Sequence, residues 1–154
     1  MSWDDYTKAI LRLDLPSGKL QVAPGAFGRT VGTFPGDGRQ FHIITAHNPA
    51  GHPSSADENA AAQVRLTARV ADTRLEHYPA AGGDRAWTHV ESSVAVVGLD
   101  LEQALALGRE FGQDAIFEWS PTGLAVVSCT DSRAHYTGWV CSPVEDTSPT
   151  GPAQ

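Results

Sequence analysis

Twice in this chain a short apolar run of strand length is followed, after a polar break, by a reciprocal helix cap. The first run, Phe41 to Ala46, ends at His47-Asn48-Pro49-Ala50-Gly51, where Pro49 lacks a donor and biases Asn48 away from helical geometry. Ser55 with Glu58 three positions on then makes a capping box, in which hydroxyl and carboxylate each satisfy a backbone N–H that a helix start leaves unpaired. The second run, Ser92 to Val97, is rich in β-branched valine, and Asp100 with Gln103 repeats the box. Two such strand-helix units point to an α+β fold.

The rest of the chain is read around them. Trp3 to Ala9 has the makings of a short helix, and Leu11, Leu13 and Leu15 alternate with Arg12 and Asp14 in the period of a half-buried strand. Ser17-Gly18 turns the chain into a short partner strand at Leu20 and Val22, and the Gly/Pro-rich passage Ala23 to Gly38 reads as loop. The first capped helix carries a stripe at Ala61, Val64, Ala68 and Ala71; the second carries Leu101, Ala104, Leu105, Gly108 and Phe111 and stops at Gly112. Arg74 to Tyr78 is a strand, Pro79 to Trp87 a loop, and Ala115 to Trp119 with Leu124 to Ser128 a closing hairpin. From Phe41 this order contains the split β-α-β arrangement, so the expected fold is a ferredoxin-like two-layer sandwich. It would have a mostly antiparallel sheet, two helices and an extra N-terminal hairpin. Residues 1–143 form the single domain, and 144–154, with Pro149, Gly151 and Pro152, have the composition of a flexible tail.

At 154 residues the chain can bury a core without disulfide staples, and 41% apolar with 19% charged residues is ordinary for a globular protein. A net charge of −7, with eleven Lys and Arg scattered rather than run together, disfavours nucleic acid as a partner. No stretch has membrane-spanning character, Met1 to Lys8 does not read as a secretory signal, and Cys129 and Cys141 read as free thiols. The expectation is a cytoplasmic monomer or weak dimer with no cofactor and no bound metal. Gly25 to Thr30 lacks the Gly-Lys-Ser/Thr ending of a phosphate-binding loop. His89-Val90-Glu91 lacks the Pro-Cys-x-x-Cys that a zinc deaminase needs.

Function is sought where the topology brings polar residues together. Up-down alternation places the exit of the first strand, the start of the first helix, the entry to Ser92–Val97 and the turn after the second helix at one end. His47, Asn48, Glu58, Asn59, His89, Glu91 and Gln113 then share a rim. Glu58 already has an explanation as a cap and Asn48 as a turn former. Gln113 has no turn role, and Glu91 precedes a buried strand where a charge needs a partner.

The segments Ile43 to Pro49, Ser55 through Glu58-Asn59, Glu91-Ser92 and Phe111 to Ile116, in that order, resemble an uncharacterised bacterial family, domain of unknown function 3293, over about residues 41–118. The resemblance implies an Ile-Thr-Ala-x-Asn-Pro segment, a Glu-Asn pair opening the helix and a Phe-Gly-Gln turn, here Ile44–Pro49, Glu58-Asn59 and Phe111–Gln113. It implies no activity. The family carries an apolar or aromatic residue where His47 stands, which argues against His47 as a metal ligand.

The leading expectation is binding of a small polar or anionic metabolite at this rim, with acid–base chemistry as the reaction class if there is one. Glu91 would be the base, its pKa raised by burial beside the second catalytic candidate, Glu58. Asn48, Asn59, Gln113, His47 and His89 would bind the ligand. Two alternatives stand beside it: a non-enzymatic protein-interaction module using an exposed Trp87, Trp139 or open sheet edge, and a mononuclear metal site at His47, His52, His89 and Glu91.

Overall fold

Residues 1–145 are described by a computed structural model of the protein. The chain runs α1 (Trp3–Lys8), β1 (Ile10–Leu15), β2 (Gly18–Gly25), β3 (Thr30–Val31), β4 (Phe41–Thr45), α2 (Ala56–Asp72), β5 (His77–Gly83), β6 (Val90–Val97), α3 (Leu101–Glu110), β7 (Ala115–Ser120), β8 (Gly123–Ser128) and β9 (Ala134–Pro143). Strand order is β2-β1-β5-β6-β4-β7-β8-β9, and β9 pairs in turn with β2, so eight antiparallel strands close on themselves. The ninth, β3, adds a short parallel pairing to β9 through Thr30–Trp139 and Val31–Val140.

The expected ferredoxin-like two-layer sandwich is therefore wrong: the sheet is a closed barrel, not an open layer. The expected order lacks β9 and hangs the N-terminal hairpin on one edge of the sheet. In fact β1 pairs β5 on one side while β2 meets the second half of β9 on the other. Closure removes the unpaired strand edges that an open sheet must protect. The four strands around the two helices do lie in the order β5-β6-β4-β7. This local order misleads, because nothing in that stretch of sequence shows that its outer strands continue into further pairs.

Alternation along the strands divides the apolar residues between two clusters. Leu11, Leu13, Val22, Phe41, Ile43, Ala95, Val97, Phe117, Trp119, Val126 and Trp139 fill the barrel interior. Ile44, Val94, Val96 and Ile116 point outward and pack in one cluster with residues of α2 and α3, which Ala125 and Val127 of β8 extend. Strands β4 and β6 are thus buried on both faces, which is why they read as continuous apolar runs. The helix α2 covers its strands with Ala62, Leu66 and Val70 rather than with the expected stripe; Val64 is 68% exposed. The expected strand Arg74–Tyr78 also sits further along, at His77–Gly83, inside what had read as loop.

Each end of the barrel is closed differently. At one end Phe34, carried in on the loop after β3, packs its ring 4.6 Å from that of Trp119, beside Phe41 and Trp139. At the other, α1 lays Tyr6 against Phe117, with ring centroids 5.6 Å apart. The α1 end carries most of the polar residues singled out from the sequence. The suspected tail lies, from Asp146 on, outside the described residues.

Candidate functional site

The break after β4 is built by mutual hydrogen bonding. Asn48 takes a left-handed conformation, φ 47°, and so does Ala50, φ 56°, around the single 3-10 turn Pro49–Gly51. Asn59, one turn into α2, accepts from the Asn48 backbone N–H at 2.9 Å and donates to the Asn48 side-chain oxygen at 3.0 Å. That oxygen also accepts from the Ser54 N–H, 3.0 Å away. His47 Nε2 lies 3.3 Å from the Asn59 amide nitrogen. Gln113, 5% exposed, donates to the carbonyls of His47 and Phe111 at 3.2 and 3.1 Å and faces the Tyr6 hydroxyl at 3.5 Å. The Ala50 N–H donates to the Gly112 carbonyl at 2.6 Å, across a contact so close that a Cβ at Gly112 would press on Pro49.

His47, Asn48, Asn59 and Gln113 therefore meet, and their polar atoms are spent largely on one another. They clasp the exit of β4 to α2, α3 and α1. Glu58 is the exposed capping residue: its carboxylate accepts from the Ser55 N–H at 2.9 Å, and that bond holds its pKa below the ordinary range. It does not crowd Glu91.

Glu91 belongs to different surroundings. Residues 91, 93, 95 and 97 of β6 face the barrel interior, as Ala95 and Val97 in the inner cluster show. Glu91 is the first of them, at the mouth. Its side chain is 12% exposed, and its nearest charged partner among the described residues is the Met1 α-amine at 3.9 Å, too long for a hydrogen bond. Burial raises its pKa, against the smaller opposing pull of that amine and of His47; the neighbouring acid that adds to the rise is Asp5, not Glu58.

The mouth is a cavity of about 690 Å³, within the size range of small-molecule sites. Glu91 and His89 line it together with Asp5 and Lys8 of α1 and Asp84 and Arg85 of the β5–β6 loop. His47 and Asn59 line a separate, shallower hollow of about 360 Å³ beside α2. The three carboxylates of the mouth are not equivalent. Asp5 is held below its ordinary pKa by the Ser2 backbone N–H, and Asp84 by the Thr88 hydroxyl and the His89 N–H. Glu91 alone is pushed upward.

Asp5, Lys8, Asp84 and Arg85 were missed in the sequence because nothing local marks α1 as the plug of a barrel. The loop Asp84–His89 is closed by its own aspartate, whose two oxygens accept from Thr88 and His89, and Trp87 within it stands at φ 57°. Among the described residues no three His, Cys, Asp or Glu side chains are grouped to hold a metal ion, so His47, His52, His89 and Glu91 do not converge on one. Trp139, expected as an exposed docking residue, is 2% exposed inside the barrel, and Trp87 is half-buried beneath the Arg12 guanidinium, 4.2 Å from its ring. Among the described residues no helix is long and apolar enough to cross a membrane.

Fold and mouth together define a small closed antiparallel barrel with two helices over one flank and an ionisable cavity at one end. Residues 44–116 match the family described as a protein of unknown function, DUF3293, which bears out the resemblance carried by Ile44–Pro49, Glu58-Asn59 and Phe111–Gln113. The matched segment spans the clasp, both helices, Glu91 and the Asp84–His89 loop; α1 and the closing strands lie outside it. No curated protein and no solved structure matches the chain.

Proposed function

We propose that the barrel mouth binds a small polar metabolite carrying an anionic group, and that Glu91 exchanges a proton with it. The observation that carries this reading is the divergence of carboxylates within one cavity. Asp5 is held below its ordinary pKa by the cap of α1 and Asp84 by its own loop, while Glu91 sits shielded with no hydrogen-bonded side-chain partner among the described residues. Carboxyl groups whose environments push them apart are suited to separate acid–base roles. Lys8 and Arg85, which line the same cavity, supply cationic groups for the anionic end of a ligand, and His89 a further hydrogen-bonding group.

Glu91→Gln tests it, because the substitution keeps shape and reach while removing the charge. A raised native pKa means that the folded chain holds more protons than the unfolded chain between the ordinary glutamate value and the native one. Stability falls as pH rises through that window, and the cost persists above it. Glu91→Gln removes that cost, so its thermal unfolding temperature at neutral pH is expected to equal or exceed that of the wild type. The gap should close as the pH drops below the ordinary glutamate range. In a thermal-shift screen of small carboxylates and phosphate esters, the ligand that stabilises the wild type is expected to lose its effect on the variant. A destabilised variant that still binds the same ligand would make Glu91 a structural residue.

A further inference from the structure

A second groove, of about 440 Å³, lies on the outer surface of β7, β8 and β9 and shares no lining residue with the mouth. Cross-strand pairing sets a row of neighbours along it: Tyr136 opposite Ala125, Ala125 opposite Glu118, and Glu118 opposite His42. His42 is wholly buried, and its Nε2 lies 2.8 Å from Glu118 Oε2. A carboxylate only accepts, so this imidazole nitrogen is the donor. Glu118 itself retains 22% exposure and lines the groove. A buried imidazole thus fixes one oxygen of a carboxylate whose remaining face meets solvent.

The other walls are aromatic. Phe27 and Tyr136 line the same groove while 80% and 60% exposed. Phe27 is not on a loose loop: the Arg29 N–H donates to the Ala26 carbonyl at 3.0 Å and the Trp139 N–H to the Arg29 carbonyl at 3.1 Å. Gly138 allows this, since both carbonyls occupy space that a Cβ there would need. The turn is therefore seated on β9, and it holds an aromatic ring out in water. Among the described residues no Lys, Arg or His lines the groove, and Glu118 is the one charged residue that does. Aromatic faces attract cations through their quadrupole, and a carboxylate attracts them through its charge. The two in one groove are complementary to a positive ligand with an apolar surface.

We propose that this groove binds a small organic ammonium ion, with Glu118, positioned by His42, as the counter-charge and Phe27 and Tyr136 as flanking faces. The proposal is independent of the mouth. The test is a titration of the isotope-labelled full chain with choline, followed by amide chemical shifts. A parallel titration uses 3,3-dimethylbutan-1-ol, the neutral carbon isostere, at matched ionic strength. Choline is expected to give saturable shifts confined to residues 27–28, 118–125 and 136–137. The isostere should bind about tenfold or more weakly, and Glu118→Gln should weaken choline by a similar factor. Phe27→Leu and Tyr136→Leu, at exposed positions that leave the fold intact, should each weaken it about threefold. Equal binding of choline and isostere would overturn the proposal, as would the absence of saturable shifts or choline binding unchanged in both leucine variants. Should Glu118→Gln fail to fold, the leucine variants and the isostere decide.

Discussion

Trp119→Ala is expected to lower unfolding stability by about 3–5 kcal/mol, the range for deleting a large buried aromatic. Trp119 is 0% exposed and lies at the centre of the plug that closes one end of the barrel. It is 4.6 Å from Phe34, 5.7 Å from Phe41 and 5.6 Å from Trp139, ring centre to ring centre. Removing it takes away the surface on which Phe34 and its loop rest, as well as an interior wall. Its buried indole N–H has no hydrogen-bond partner among the described residues, whereas that of Trp139 donates to the Ser120 carbonyl at 2.9 Å. Trp119→Phe should therefore cost much less than alanine, because it keeps the ring and removes an unsatisfied donor. Urea denaturation of the two variants checks the ordering; an alanine variant within about 1 kcal/mol of wild type would show that the plug does not close the barrel.

Gly138→Ala is the second large effect, expected at about 3 kcal/mol, the upper end of overpacking costs. The obstacle is backbone rather than a side chain able to move aside: the carbonyls of Arg29 and Ala26 stand where the new Cβ would go. Relief requires the turn at residues 26–29 to lift off β9. That breaks the bond from the Trp139 N–H to the Arg29 carbonyl and the pairing of β3. Hydrogen exchange should show lost protection at Trp139 and Val140, with the α2–α3 flank unaffected. A variant as stable as wild type, with that protection intact, would contradict the close seating of the turn.

Trp119 ends a strand that the sequence shows, Ala115 to Trp119, whereas Gly138 lies where sequence reading is weakest. The strand β9 was invisible because only Trp139 and Cys141 alternate cleanly inward. Gly138 and the exposed, polar stretch Ala134–Tyr136 dilute the pattern. Missing one strand changed the architecture, since β9 is the staple that turns a sheet into a barrel. The starts of the two capped helices were legible to the residue: Ser55/Glu58 and Asp100/Gln103 both form reciprocal boxes. The buried face of α2 was not, because an alanine-rich helix offers Ala61, Ala62, Ala68 and Ala71 with little contrast, and Leu66 and Val70 decide the matter.

Strand direction brings His47, Asn48, Asn59 and Gln113 together, but not all seven expected residues into one rim: Glu91 and His89 line the mouth and Glu58 stands exposed as a cap. What sequence could not show is that Asn48, Asn59 and Gln113 would satisfy one another and leave Glu91 to face a different cavity. Hydrogen-bond partners depend on approaches of a few ångströms that alternation does not fix. Glu91 is legible because a charge next to a buried strand needs a partner, and among the described residues the ion-pair partner it meets is an amine at 3.9 Å.

The most direct measurement is a carbon-13 titration of the side-chain carboxyls of Glu91, Asp5 and Asp84 in the full chain. Glu91 is expected to titrate above the ordinary glutamate value of 4.5. Asp5 and Asp84 are expected below the ordinary aspartate value of 3.8. Addition of a ligand found in the thermal-shift screen should move the Glu91 midpoint while leaving that of Glu58 in place. A Glu91 midpoint at or below 4.5, or one that no bound ligand shifts, would contradict a role for this carboxyl as the proton-exchanging group of the mouth.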